Sequence, residues 1–135
     1  MTKRSAELQA LLRSLEPMLH DGVYVYSTLP EGVDGATVEA IATVREPEGM
    51  SVIVPEAAAL GAGLPVLYRA AWITLTVQSE LQAVGLTAAF AAALGDAGIS
   101  CNVVAGAYHD HLFVPFESGP AALACLRALQ ARATG

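Results

Sequence analysis

The stretch Ala71-Trp72-Ile73-Thr74-Leu75-Thr76-Val77-Gln78 decides the fold class. Ala71, Ile73, Leu75 and Val77 fall on one side of an extended chain, and Trp72, Thr74, Thr76 and Gln78 on the other. That period of two belongs to a half-covered β-strand. Past a loop over residues 79–84 the period changes. Leu86, Phe90 and Leu94 sit at successive fourth positions, which predicts a helix over residues 85–97. Gly98 suits its left-handed cap, with Ile99 folding back on the last turn. Two further strands, residues 100–107 and 111–116, meet at Tyr108-His109-Asp110, and a helix over 120–131 closes the half. Strand, helix, strand, strand, helix is the order of an antiparallel sheet carrying its helices on one face.

The first half reads less sharply. Leu8, Leu11, Leu12, Leu15 and Leu19 fall at helical spacing, so residues 4–19 are expected to form one amphipathic helix, ended by Asp21-Gly22. Strands are expected over residues 23–28, 37–45 and 50–54, with a loop at 29–35 and a short helix from Pro55 to Leu60. Val54-Pro55-Glu56 before an alanine-rich helix echoes Val114-Pro115-Phe116-Glu117 before the last one. Aligned on that echo, the halves share an order of elements, the first helix of the first half being reduced to a loop. The reading is an α+β chain of two ferredoxin-like units, residues 1–66 and 67–135.

Composition excludes several functions. Hydrophobic residues are 54% of the chain and charged ones 15%, far from a disordered composition. The net charge is -6, and the seven basic residues are scattered, so neither nucleic acid nor an anionic membrane is an expected partner. No signal peptide or membrane span is visible, which makes the cytoplasm the expected location. Cys101 and Cys125 make no disulfide framework or zinc spacing. The low charge and alanine-rich helices point to self-association, most simply a homodimer.

The residues that follow the opening stretch carry a resemblance. Residues 72–79, then Val84-Gly85-Leu86-Thr87, then Gly98-Ile99-Ser100-Cys101-Asn102-Val103, then His109-Asp110-His111-Leu112-Phe113-Val114-Pro115, together resemble the ACT-domain superfamily. The chain is similar to small bacterial proteins of two tandem ACT-like units, and to the paired ACT units of aspartokinases and cytosolic arginine sensors. The resemblance implies ferredoxin-like units that pair side by side and bind an amino acid between them, hence a regulatory sensor rather than an enzyme. The chain departs from the pattern in its missing first helix and in having no evident final strand after residue 117.

The expected ligand site is the loop from Ser79 to Thr87. A helix N-terminus offers unpaired N–H groups and a partial positive charge to a carboxylate. Gly85 allows close backbone approach, Ser79 and Thr87 add hydroxyls, and Val84 and Leu86 flank them. Glu80 or Asp110 would hold the ligand's ammonium group, and the Asn102 amide can serve either end. Against this stands the plain reading of Gly85 as a turn residue and Thr87 as a cap. His109 and His111 would share a strand face, as two metal ligands do, but no third ligand is evident and turn chemistry is the simpler reading. No cofactor motif or nucleophile elbow is present, and Cys101 lies in an apolar strand, so catalysis is the weakest reading. The alternative to a sensor is an interaction module whose pocket is vestigial.

Overall fold

A computed structural model describes residues 3–76 and 85–134. The described elements are helix α1 (Lys3–Arg13), strands β1 (Glu16–Leu19) and β2 (Tyr24–Leu29), a 3-10 turn (Gly35–Val38), strands β3 (Ala42–Glu46) and β4 (Gly49–Pro55), and helix α2 (Glu56–Gly61). Then come strand β5 (Tyr68–Thr76), helix α3 (Leu86–Asp96), strands β6 (Asn102–Ala105) and β7 (Asp110–Pro115), a 3-10 turn (Phe116–Ser118) and helix α4 (Gly119–Thr134). The seven strands make one antiparallel sheet in the order β3-β4-β2-β5-β7-β6, with β1 also on β5.

The strand that opened the sequence reading is the centre of the sheet. β5 pairs along one side first with β2, Tyr68 opposite Tyr26, and then with β1, Ile73 opposite Leu19. Its other side pairs with β7 from Ala70 opposite Pro115 to Leu75 opposite Asp110. The two halves are therefore joined edge to edge into one sheet. Their helix-side cores remain separate. Ala71, Ile73 and Leu75 pack with Leu86, Phe90, Leu94, Leu112, Val114 and Leu126, while Val25, Val52 and Val54 pack with Ala59 and Leu64. Each fully buried Leu or Phe contributes roughly 1.5–3 kcal/mol relative to exposure.

α3 forms as its spacing requires: Leu86, Phe90 and Leu94 are its buried residues. Gly98, at φ +76, ends it, and the Ile99 N–H reaches back to the Leu94 carbonyl at 2.9 Å.

Two expectations are corrected. Residues 4–19 are not one helix. The helix stops at Arg13, and Glu16–Leu19 is a strand against β5. Leu15, fully buried, turns the chain into the second half's core, and the last turn of α1 is fastened there: Gln130 Nε2 donates to the Arg13 carbonyl at 3.1 Å. β1 thus stands where the second unit lacked a final strand. Residues 37–45 are not one strand either. Asp34 caps the 3-10 turn through its side chain, and Glu39 follows it at φ 56, a left-handed conformation that breaks any extended run. Val38 is buried in that turn, and β3 starts only at Ala42.

Candidate functional site

Alternation fixes which side chains stand on each face. Asp110 is opposite Leu75 and so lies on the helix-covered face, at the end of the sheet from which the chain leaves β5 for α3. The carboxyl of Asp110 is half-buried, and burial raises its pKa, with the neighbouring His111 pulling the other way. At the start of α3, Gly85 has φ 96, and among the described residues no side chain caps the helix. Thr87 is exposed; Leu86 is buried in the core beside Leu75. Ser79, Glu80 and Val84 lie outside the described residues.

The sheet does not bring Asn102 to this group. Asn102 is opposite Phe113, which places it on the helix-free face, exposed, on the outermost strand. Leu8 of α1 is a further neighbour of the loop: a Cβ built on Gly85 would stand 3.4 Å from Leu8 Cδ2.

The helix-free face carries a polar cluster on an aromatic surface. The Trp72 indole N–H donates to His111 Nδ1 at 3.1 Å, and Thr74 Oγ1 lies 3.2 Å from that same nitrogen and 2.7 Å from His20 Nε2. Because His111 Nδ1 accepts from an N–H, it carries no proton, and the neutral ring is protonated on Nε2. His20 stacks on Trp72 with centroids 3.6 Å apart. Burial lowers the pKa of His111, helped by His109 and opposed by Asp110. His20 is lowered in the same way, by burial first, then by His111, against Asp21.

Half of this cluster was visible as alternation, since Trp72 and Thr74 share a strand face. The contribution of His20 depends on β1 lying beside β5, which its own residues do not announce. His109 and His111 have ring centroids 6.4 Å apart, and His111 spends Nδ1 on Trp72. Among the described residues no group of three or more His, Cys, Asp or Glu is placed to hold a metal. Burial pushes the Cys101 thiol up to about 11, which removes the thiolate a nucleophile would need.

Models of the ACT domain match residues 5–71 and 68–128, meeting at the start of β5. The chain belongs to the ACT-domain family. Among solved structures it is similar to a Vibrio cholerae protein of unknown function, described as a possible transport protein. The two share 45% identity over 95% of this chain and 99% of that one, with a TM-score of 0.86. It also matches the regulatory subunit of aspartate kinase from Thermus flavus, at 14% identity, 86% and 96% coverage and a TM-score of 0.60, a likeness of fold. No curated protein matches the chain. ACT domains are typically small-molecule-binding regulatory modules, not catalysts. No helix among the described residues is long and apolar enough to cross a membrane.

Proposed function

We propose that this ACT protein is a regulatory sensor of a free amino acid, with no catalytic activity of its own, bound where the chain passes from β5 into α3. Two features support the reading: the start of α3 at Gly85, which no side chain among the described residues caps, and the half-buried Asp110, paired with Leu75 near the end of β5. A zwitterion needs opposite partners a few ångströms apart. The helix amides with Thr87 receive its carboxylate, and Asp110 receives its ammonium group. Ser79, Glu80, Val84 and the Leu86 backbone complete the loop, while Asn102 would join only through a second copy. A homodimer fits the same reading, because β3 leaves Thr43, Val44, Arg45 and Glu46 exposed at the edge of the sheet. It serves a client protein in the cytoplasm.

The test is thermal stabilisation by each of the common amino acids, followed by calorimetry on the best of them. Asp110→Asn should weaken that binding by about 10- to 100-fold, the worth of a charged hydrogen bond at roughly 1.5–3 kcal/mol. If no amino acid stabilises the protein, or Asp110→Asn leaves the affinity intact, the reading fails. Gly85→Val is a poorer probe, since φ 96 and the Leu8 contact would perturb folding by themselves.

One observation favours the interaction-module reading. Leu8 lies over Gly85, so α1 covers part of the approach to the helix start. If the pocket is closed in this way, binding appears only when α1 is displaced, and the paired units act as an adaptor.

A further inference from the structure

We propose a second ligand site, on the helix-free face, for one neutral ring-sized molecule bearing a hydrogen-bond acceptor. A cavity of about 200 Å3 is lined there by Ile41, Ala42, Trp72, Val104, His111 and Phe113. Ala42 and Val104 belong to β3 and β6, the two outermost strands of the sheet. They line one cavity because the sheet curls until its edges face each other across the aromatic floor. The same curl buries Ile53, Ala70 and Phe113 with no helix over them among the described residues. Tyr26 packs edge-on to both Tyr68 and Phe113 there, and burial pushes its pKa up to about 12.

Size, polarity and rigidity each restrict the occupant. An apolar cavity of roughly 150 Å3 suffices for benzene, so this one admits a single ring with a small substituent. Among the described residues no carboxylate, ammonium or guanidinium stands in the wall, so a charged ligand would lose its hydration without return. Among the described side chains of the wall, His111 alone has a polar atom not already bonded: Nδ1 is taken by Trp72, and Nε2, near the Gly106 backbone, keeps a proton to donate. The wall is formed in advance, because His20 stacking and the bond to His111 hold the indole, and Phe113 lies nearly parallel to it at 15°. A preformed apolar wall with a small number of polar groups is the usual make-up of a small-molecule site. Neither Asp110 nor the start of α3 lines the cavity, so it is distinct from the amino-acid site proposed above.

Trp72 is the chain's sole tryptophan, so its emission reports occupancy directly. Benzyl alcohol serves as probe, against toluene, which lacks the acceptor, and benzylammonium, which is charged. A saturable change in emission is expected for benzyl alcohol, with a dissociation constant on the order of 1 mM. Toluene should bind at least about threefold more weakly and benzylammonium about tenfold. Val104→Phe and Ala42→Leu, from opposite edges of the sheet, should each abolish saturation by filling the cavity. A linear, unsaturated response of the parent protein overturns the proposal. So does equal binding of all three probes, or saturation that survives in either folded variant.

Discussion

Replacing Leu15 by alanine tests whether the N-terminal segment belongs to the core of the second half. Leu15 is fully buried and packs in the cluster formed by Ile73, Leu75, Phe90 and Leu126. Truncation removes its apolar contacts and leaves a void where β5 and helices from both ends of the chain meet. Core Leu→Ala changes of this kind cost about 2–5 kcal/mol, and a fully enclosed site belongs in the middle of that range, near ~3 kcal/mol. For a chain of this length that lowers the melting temperature by roughly 6–12 °C. The control is Met18→Ala, three residues on in β1, where the side chain is 54% exposed and the expected cost is under about 0.5 kcal/mol. Urea unfolding followed by Trp72 emission reads both, and the slope with denaturant checks that the unfolded states are alike. Equal costs for the two variants, or less than about 1 kcal/mol for Leu15→Ala, would refute the placement of this segment.

Four further outcomes follow from the structure. Gly119→Ala should destabilise by roughly 1–3 kcal/mol, since its Cβ would stand 3.0 Å from the Ala71 Cβ; an unchanged melting temperature would show that α4 can shift. Stability should fall as pH drops from about 7 toward 5, because the pKa values of His20 and His111 are lowered from 6.5 and the unfolded chain binds more protons there. Asp110, raised from 3.8, contributes with the opposite sign and flattens the loss in more acidic solution; a melting temperature that rises as pH drops from 7 to 5 contradicts the expected net effect of the two histidines. Trp72→Phe should raise the pKa of His111, measured by NMR titration, because the indole N–H binds only the neutral ring. Cys101, with its pKa near 11, should react with a disulfide reagent at pH 8 far more slowly than an unhindered thiol does.

The second half was legible because its signals are local. The i, i+4 spacing of Leu86, Phe90 and Leu94 and the glycine at 98 each carry their structural meaning within a few residues. β5 and β7 were legible as alternation, although β5 begins earlier than its alternation does, at Tyr68, where pairing with Tyr26 extends it. β1 was hidden: Glu16-Pro17-Met18-Leu19 fits the leucine spacing of the helix before it, and only distant pairing with β5 makes it a strand. β3 was misplaced because a glutamate, not a glycine, takes the left-handed position at Glu39. For the site, the sequence put Asn102 and Asp110 in one group. Pairing to β7 and β5 sets them on opposite faces, a matter of register that no single segment specifies.

The joining of α1 to α4 bears on how the chain is made. Arg13 Nη1 reaches the Ala133 carbonyl across 120 positions, and Gln130 returns a bond to Arg13. Residues 3–13 therefore leave the ribosome well before the α4 residues they pair with. Until those emerge, Leu8, Leu11, Leu12, Leu15 and Leu19 travel as an apolar segment without the helix that covers it, while Val25, Val52, Val54, Ala59 and Leu64 of the first half already have one another. Closure of so long a span is slow. The interval is a window in which a chaperone or a second nascent copy can claim the N-terminal segment, and exchange of that segment between two copies would give a swapped dimer with the same sheet.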